Sequence, residues 1–582
     1  MKRKFADIGL STVLALAAGA VGFDVLMGSQ LSALTVGVAM WVTIVWIARD
    51  AGLRLGGSRS VGLWHLVRVE VGLLVACAGF AVARTMLALR SLGAALTSAE
   101  NQAAHLYDLM FLGLALFAAL ALMKLPAFAR WLLRLGRRPP LLLATSFALM
   151  ILVATLLLCL PFSVESFEHI NPLNALFTAT SAVCVTGLAV NDIGTTYTPF
   201  GQAVILLAIQ FGGIGIMSIA AIAISLRSDS SLDAQAQYAS LFEAGSLGEL
   251  RGQIYTISST TFAIEAVGAV LLWLLWNDAP EFQGRSVVWL AVFHAISAFC
   301  NAGFSLFPDS MVRFSSDGAT QLVIMVLIVT GGIGFPVYHA LLRRGVARVR
   351  SWVEREAPPL PRYELSTRTV ARTTAILIGV GALLFLVLEG AGAFGSLGWT
   401  DRVWAAFFTS VTTRTAGFNT IDFAALSETS VLVVLALMFI GGSPGSTAGG
   451  VKTTTVAVLF ATFRAELRGA DPSLGPRAIS PGTIRRASAV TAISLVLILG
   501  FFALLTLTEE RPFIELAFET VSAFATVGLS LGCTPELSSL GRLVIVCAMF
   551  VGRIGPMGIA LAVGDARERR SYKLPQADLQ IW

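Results

Sequence analysis

Four short segments of the chain share one pattern that ends on glycine. They read FTATSAVCVTGL (177–188), FHAISAFCNAGF (293–304), FFTSVTTRTAGF (407–418) and FETVSAFATVGL (518–529). Glycine can adopt a positive φ that other residues avoid, so the carbonyl groups beside it can point to one side instead of continuing a helix. Rings of carbonyl oxygens replace the hydration shell of a cation. The chemistry that these segments predict is therefore the binding of a dehydrated cation.

The spacing of the four glycines supports a shared role. Steps of 116, 114 and 111 residues separate Gly187, Gly303, Gly417 and Gly528. A single small residue in a membrane helix is more often a packing contact, but four in register favour a common function. The residues that open the segments are interpreted as packing residues rather than ligands: Phe177, Phe293, Phe407 and Phe518.

We define each filter segment as the five residues that end on one of these glycines. The predicted ion-binding residues are Val183, Cys184, Val185, Thr186 and Gly187; Phe299, Cys300, Asn301, Ala302 and Gly303; Thr413, Arg414, Thr415, Ala416 and Gly417; and Phe524, Ala525, Thr526, Val527 and Gly528.

The elements that must position these segments are membrane spans. Of 582 residues, 56% are hydrophobic and only 13% are charged, against roughly 25% charged in soluble domains. A span needs about 20 apolar residues, and the sequence predicts an all-α integral membrane protein. Its twelve predicted spans are 8–28, 32–48, 66–88, 106–124, 142–163, 200–226, 254–276, 319–342, 370–392, 430–462, 487–507 and 540–563.

Each filter segment follows an apolar stretch of about ten residues between two spans. Ten helical residues are only about 15 Å long, half the hydrocarbon thickness, so these stretches should enter the membrane and turn back. We predict four tandem span–pore-loop–span repeats around a pseudo-fourfold pore, after four extra N-terminal helices of unassigned role. The predicted domains are 1–138 for that extension, then 139–250, 251–362, 363–482 and 483–582, the last with a cytoplasmic tail.

Basic residues predict the orientation and the location. With the spans above, the arginine-rich loops and both termini fall on one side, which the positive-inside rule assigns to the cytoplasm of an inner-membrane protein. The net charge of +6 reflects this asymmetry rather than a nucleic-acid-binding surface. The six cysteines have no metal or disulfide spacing, and no cofactor is predicted.

A polar stretch interrupts the predicted span 430–462. We call residues 441–455, GGSPGSTAGGVKTTT, the gate stretch. Its glycines and proline remove helix propensity at membrane depth, where freed backbone groups need a wet cavity. Lys452 would place a positive charge there, and Arg553 is a second intramembrane cation. Such charges are functional by default, although structural pairing is the alternative.

Other charged residues lie near the filter segments. Arg414 lies three residues before Gly417 in the third filter segment, and we predict that it bonds either to Glu519 or to backbone carbonyl groups behind the filter. Four acidic residues follow the glycines and would either ring the outer mouth or be ordinary loop residues: Asp192, Asp309, Asp422 and Glu536.

The glycine motifs resemble a known superfamily. CVTGL, CNAGF, RTAGF and TVGL, with GGIG (212–215), GGIG (331–334), GGSPG (441–445) and GRIG (552–555), are similar to the membrane subunit of the Trk, Ktr and HKT potassium transporters over about residues 140–582. The ending RRSYKLPQADLQIW resembles the bacterial Ktr-type tail. This resemblance implies potassium uptake, with K⁺ at the filter carbonyls. In that superfamily four filter glycines accompany potassium preference and a serine in the first filter accompanies sodium; this chain has Gly187 there.

The resemblance also implies a movable gate and partners. The predicted gate residues are Gly441, Gly442, Pro444, Gly445, Ser446, Thr447, Gly449, Gly450, Lys452 and Arg553. The implied assembly is a homodimer in the lipid membrane, seated on a separate cytosolic ring that binds nucleotides. Sodium-permeable or cation-coupled transport by the same pore remains an alternative.

An enzyme is a remote alternative. The gate stretch fails the phosphate-binding pattern G-x-x-x-x-G-K-[ST], because Val451 separates Gly450 from Lys452. The five histidines are scattered, and Glu265 is a lone carboxylate within the first spans of the repeats. Intramembrane acid–base chemistry would need paired groups.

Overall fold

A computed structural model describes residues 139–166, 171–225, 247–277, 282, 286–353 and 363–555. The predicted N-terminal extension, its four spans and the C-terminal tail lie outside these residues.

The first described part contains four α-helices. They are α1 (Pro139–Leu158), α2 (Pro172–Val183), α3 (Ile193–Thr196) and α4 (Pro199–Ser225). Proline fits the first turn of α2 because its missing N–H needs no partner there, and the Asn171 side chain accepts a hydrogen bond from the Leu173 N–H at 2.9 Å. A short helix, which ends at the first filter segment, therefore lies between two long ones.

The same order recurs in the second part. Here α5 (Leu247–Trp276) and α6 (Val287–Phe299) are followed by α7 (Gly318–Gly332) and α8 (Phe335–Val353). Ser286 caps α6, since its side chain accepts from the Trp289 N–H.

The predicted span 319–342 is not one continuous helix, because it breaks between α7 and α8. The two helices meet at an angle of 110°. Gly334 has a φ of +91°, which a continuous helix cannot contain. The GGIG motif at 331–334 therefore ends a helix instead of packing within one.

The third part contains the interruption expected from the sequence. After α9 (Leu365–Glu389) and α10 (Trp399–Thr412), α11 (Glu428–Phe439) ends before the gate stretch and α12 (Thr453–Glu466) begins inside it.

The fourth part begins after a small antiparallel hairpin of β1 (Ser473–Leu474) and β2 (Arg477–Ala478). It contains α13 (Pro481–Thr508), α14 (Phe513–Phe524) and α15 (Ser539–Ile554). Single 3-10 turns occur at Pro161–Ser163, Val312–Phe314, Phe423–Ala425 and Thr534–Glu536.

Three helical segments in the described residues are long and apolar enough to cross a membrane by themselves. They are Thr256–Trp276 within α5, α9 and α13, and the bent pair α7–α8 would make a fourth. The helices α2, α6, α10 and α14 lie mostly in the buried core, whereas the outer faces of the long helices expose leucine and valine. The exposed apolar faces are what lipid requires of a membrane protein.

Candidate functional site

The four filter glycines share a left-handed backbone. Their φ values are +99° at Gly187, +70° at Gly303, +79° at Gly417 and +93° at Gly528. The residue two positions before each glycine also has a positive φ, between 52° and 72°: Val185, Asn301, Thr415 and Thr526. Non-glycine residues rarely adopt this conformation unless the surrounding structure enforces it, and such strain clusters at functional sites.

The four glycines are also packed against one another in a closed cycle. A Cβ added to Gly187 would lie 3.2 Å from the Cα of Gly303, and one added to Gly303 would lie 2.8 Å from the Cα of Gly417. A Cβ added to Gly417 would lie 3.3 Å from the Cα of Gly528, and one added to Gly528 would lie 2.9 Å from the Cα of Gly187. Segments far apart in sequence therefore meet around one axis.

Carbonyl oxygens of the preceding residues fill the space between the glycines. A Cβ on Gly303 would be 2.8 Å from the Ala416 oxygen, and one on Gly417 would be 2.6 Å from the Val527 oxygen. A Cβ on Gly187 or Gly528 would overlap the oxygen of Ala302 or Thr186. A side chain at any of the four glycines is therefore disfavoured for two reasons: the positive φ of the residue and the close approach of the backbone of the next segment.

The amide groups at this level are satisfied by the short helices. The N–H groups of Thr186, Ala302 and Val527 donate to carbonyl oxygens near the ends of α2, α6 and α14, each at 2.8 Å. Ala416 does the same to α10 at 2.9 Å. Most N–H donors of the filter segments are therefore occupied, whereas those of Gly303, Thr415 and Gly417 have no partner among the described residues.

Most carbonyl oxygens of the filter segments, in contrast, lack hydrogen-bond donors in the part of the chain that the structure describes. Within the described residues, no hydrogen bond ends on the carbonyl oxygen of any of the last four residues of a filter segment, although nearly all of these residues are buried. A buried carbonyl without a partner at membrane depth costs several kcal/mol. These sixteen carbonyl groups therefore lack a protein partner in the described residues, and a ring of carbonyl groups of this kind can bind a cation.

The first residue of three filter segments belongs to a helix instead. Val183, Phe299 and Phe524 end α2, α6 and α14. Their carbonyl oxygens are covered by the first glycine of the motifs at 212–215, 331–334 and 552–555, where a Cβ would overlap them. These glycines let the second helix of each part approach the filter segment, so only the last four carbonyl groups of each of these segments are uncovered.

In the third part, the stretch from the buried phenylalanine to the filter glycine is one residue shorter than in the other three parts. Phe407 is 43% exposed, whereas Phe408 is 1% exposed, like Phe177, Phe293 and Phe518 at 0%. The Thr412 hydroxyl donates to the Phe418 oxygen, as the Ser297 hydroxyl donates to the Phe304 oxygen. The interpretation of Phe407 as the packing residue is therefore wrong, and Phe408 has that role.

Arg414 points to the gate stretch. Its Nη2 donates to the Gly441 oxygen at 3.2 Å, and its side chain is buried. Glu519 accepts instead from the Thr534 hydroxyl. The predicted Arg414–Glu519 pair is wrong, because the two side chains have separate partners; the alternative, a bond to backbone carbonyl, agrees with the structure.

The gate stretch folds on itself. The Gly441 N–H donates to the Val451 oxygen, the Val451 N–H to Phe439, and the Thr453 N–H to Gly442, each at 3.0 Å. These bonds satisfy backbone groups that the missing helical turns would otherwise have paired.

The stretch also docks on the break between α7 and α8. The Ser443 N–H donates to the Gly332 oxygen at 3.1 Å, and the Phe335 N–H donates to the Gly445 oxygen at 2.9 Å. Gly334 leaves room for the Pro444 oxygen, which would lie 2.5 Å from a Cβ there. The gate stretch, which interrupts the span of α11 and α12, therefore fits in shape and hydrogen bonding into the break between α7 and α8.

The gate stretch lies directly against two filter segments. The Thr447 hydroxyl donates to the Phe299 oxygen at 3.3 Å, and a Cβ on Gly449 would be 2.6 Å from the Ala525 oxygen. Thr447, Ala448 and Gly449 are buried.

Two cations fix the stretch through its carbonyl groups. The Lys452 Nζ donates to the Ala448 oxygen at 2.8 Å. Arg553 donates through Nη1 to the Thr447 oxygen at 2.6 Å and through Nη2 to the Gly212 oxygen at 2.7 Å. Arg553 thereby joins the gate stretch to α4, and no carboxylate in the described residues pairs with either cation.

The four outer carboxylates have structural partners. Asp192 and Asp422 cap short helical turns, Arg511 pairs with Glu536, and Arg313 bonds Asp309 at 2.9 Å through Nε. Partial burial alone would raise the pKa of Asp309, but its hydrogen bonds with Arg313 outweigh this and lower the pKa. Two of the four charges are thus balanced, which favours the alternative of structural loop residues over a ring of free charge.

Two groups of residues were not identified from the sequence. Behind the second filter segment, the Gln210 Nε2 donates to both Glu265 oxygens at 3.1 Å, and the Cys300 thiol lies 3.8 Å from that carboxylate. Between the end of α9 and the start of α11, Glu389 accepts from the N–H and hydroxyl of Ser427 at 2.9 and 2.6 Å. Contacts between residues so far apart in the chain give no local sequence pattern. The Glu389–Ser427 arrangement does recur, since Glu509 accepts from the N–H and hydroxyl of Ser538.

Replacing Glu389 with glutamine should destabilise the protein. The carboxylate also accepts from the Ala393 N–H, so an amide would turn one NH₂ group toward a donor. An unsatisfied buried group costs about 1–3 kcal/mol. We expect a clearly lower thermal unfolding temperature in detergent for Glu389→Gln, and no change for the exposed control Glu510→Gln. If Glu389→Gln and the unmodified protein unfold at the same temperature, this carboxylate does not stabilise the contact between the end of α9 and the start of α11.

These helices and unpaired carbonyl groups are features of a membrane protein that carries cations. A family model described as "TrkH: Cation transport protein" matches residues 119–571, and the chain belongs to this family, which is one of membrane ion transporters.

Individual relatives agree with this assignment. The chain is 37% identical over 446 residues to the Ktr system potassium uptake protein B of Bacillus subtilis, covering 76% of this chain and 96% of that protein. It is 35% identical over 454 residues to the potassium/sodium uptake protein NtpJ of Enterococcus hirae, covering 76% and 97%. The crystal structure of the potassium transporter TrkH from Vibrio parahaemolyticus shares the fold, with a TM-score of 0.57, 17% identity, and coverage of 92% and 98%.

Proposed function

We propose that this chain is the pore subunit of a potassium uptake system in the cytoplasmic membrane. The observation that carries the proposal is the cycle of four glycines with buried, unpaired carbonyl oxygens beside them. Dehydrating K⁺ is costly, and carbonyl oxygens held in a ring can replace its water. The printed functions of the relatives support the choice of ion.

The architecture we infer is pseudo-fourfold. Residues 139–250, 251–362, 363–482 and 483–582 each supply one filter segment to the ring. The C-terminal ends of α2, α6, α10 and α14 adjoin those segments. The negative end of a helix dipole at each quarter would favour a cation.

The gate stretch is the obstruction in this pore. Its support is the contact of Thr447 and Gly449 with the second and fourth filter segments. Opening requires the stretch to leave the break between α7 and α8, and Lys452 and Arg553 hold it there through charged hydrogen bonds. A homodimer on a cytosolic nucleotide-binding ring, proposed from the family resemblance, would supply the control of this movement.

A second candidate is sodium permeation by the same pore. It is favoured by the potassium/sodium uptake protein among the relatives. Four glycines rather than a serine in the first segment favour potassium.

The test is ion flux in vesicles that contain the purified full chain. K⁺ and Na⁺ uptake should be compared with and without an imposed sodium gradient. Potassium flux well above sodium flux supports the proposal, and equal fluxes support the second candidate. A requirement for the gradient would indicate coupled transport. The absence of flux for both ions would contradict a pore if it persists after the gate stretch is shortened, because a closed gate alone would also prevent flux.

Replacing Arg553 with glutamine should open the gate more often. The change removes a charged donor to Thr447, and charged hydrogen bonds contribute about 1.5–3 kcal/mol. We expect potassium flux per inserted molecule to rise on the order of tenfold, while the exposed control Arg464→Gln leaves it unchanged. Unaltered or reduced flux in Arg553→Gln would show that this arginine does not hold the gate closed.

A further inference from the structure

A cavity of about 320 Å³ lies beside the gate stretch, between α8, α9, α12 and α13. Pro444 forms one wall, and valine and alanine side chains form most of the others. Five polar side chains line it: Ser366, Thr454, Thr455, Thr483 and Arg486. Pro444, Thr454 and Thr455 belong to the gate stretch, but the filter and the gate contacts described above do not involve the space that they line.

Most of these polar groups have no partner. In the part of the chain that the structure describes, the exposed Arg486 guanidinium makes no ion pair or hydrogen bond with the protein, and neither do the hydroxyls of the exposed Ser366 and the half-buried Thr454 and Thr455. Thr483 has one local bond, to the Ser480 hydroxyl at 2.8 Å. One positive charge and several free hydroxyl donors therefore converge on one space, which is the chemistry that binds an anion with oxygen acceptors.

The surroundings favour an anion of the membrane itself. Ser366, Thr454 and Arg486 lie in the first two turns of α9, α12 and α13, and helix N-terminal ends carry partial positive charge. The positive-inside rule places the arginine-rich starts of α9 and α13 at the cytoplasmic leaflet, whereas the start of α12 lies deeper, in the gate stretch. Basic pockets between helices at that depth bind lipid head groups. The apolar walls fit the glycerol and upper acyl carbons of a lipid.

We propose that this cavity binds the phosphodiester head group of an anionic phospholipid. The single charge of Arg486 matches the single negative charge of phosphatidylglycerol, whereas phosphatidylcholine carries its own compensating cation. Because Pro444 is part of the wall, an occupied cavity supports the gate stretch in the position described. The effect on flux rests on the proposed function, but binding does not.

The test measures thermal unfolding of the purified full chain in neutral detergent. Phosphatidylglycerol, phosphatidylcholine or inorganic phosphate is titrated in. We expect only phosphatidylglycerol to raise the unfolding temperature of the unmodified protein. Its apparent affinity should fall about five- to tenfold in Arg486→Gln and stay unchanged in Arg485→Gln, the adjacent arginine outside the cavity.

Several results would overturn the proposal. Equal protection by phosphatidylcholine would exclude recognition of charge, and equal losses in the two arginine variants would indicate diffuse surface attraction. Protection by inorganic phosphate without phosphatidylglycerol would indicate a soluble anion. If Arg486→Gln does not fold, the double variant Thr454→Val/Thr455→Val should show the same loss of affinity, and undiminished affinity there contradicts the site. Vesicles lacking flux would reject the pore without affecting this binding result.

Discussion

Replacing Gly417 with serine is expected to reduce the preference for potassium over sodium by about tenfold, since local backbone strain of 1–3 kcal/mol corresponds to roughly that factor or more. The φ of Gly417 is +79°, and a Cβ would lie 2.6 Å from the Val527 oxygen. Serine would therefore strain its own segment and displace a carbonyl of the next one. Gly187→Ser should act in the same way, through the Ala302 oxygen.

The control for this prediction is Gly379→Ser. Gly379 lies in α9, and a Cβ there would meet nothing within 4 Å. Flux ratios for K⁺ and Na⁺ should be unchanged in this variant. Unchanged ratios in Gly187→Ser and Gly417→Ser as well would show that these glycines do not form the filter.

Removing Ser446–Gly449 should raise potassium flux and leave selectivity intact. The deletion removes Thr447 and Ala448, whose carbonyl groups accept from Arg553 and Lys452. It also removes Gly449, the residue of the gate stretch that lies against the fourth filter segment. The filter glycines are untouched, so gate and filter should prove separable, and flux should no longer require a cytosolic partner.

Lys452→Ala should raise flux more weakly, because it removes one donor and one repelling charge. Lys452→Arg keeps both and is the matched control. The rival interpretation is a structural hinge, which predicts less inserted protein and no flux in the deletion. Flux per correctly inserted molecule separates the two, and unaltered dependence on the partner would reject the gate.

Patterns that recur along the chain predicted most of the site. The glycine spacing identified four segments that the fold brings into one cycle, and the composition of 441–455 predicted a helix interruption. Both signals are local: glycine and proline act on their own backbone wherever the chain places them.

The errors of prediction from the sequence arose where contacts between distant parts of the chain determine the local structure. The stretch before Gly417 is one residue shorter than its three counterparts, so Phe408 is buried in place of Phe407. A comparison of residue types along the sequence does not detect this difference. The break at Gly334 is where the gate stretch docks, whereas GGIG at 212–215 shows no such break, since α4 continues through it. The partners of Arg414, Glu519 and Glu265 likewise depend on contacts between distant elements.

The most direct test of the central claim is the position of a bound cation. The purified full chain should be imaged at high resolution with Rb⁺ or Tl⁺ in place of K⁺, where these heavier ions are distinguishable from water. We expect density on the axis of the ring formed by the carbonyl groups of Thr186, Ala302, Ala416 and Val527, and its loss when Na⁺ replaces the heavy ion. A ring that stays empty while transport is intact, or an ion bound elsewhere in the membrane, would contradict the account.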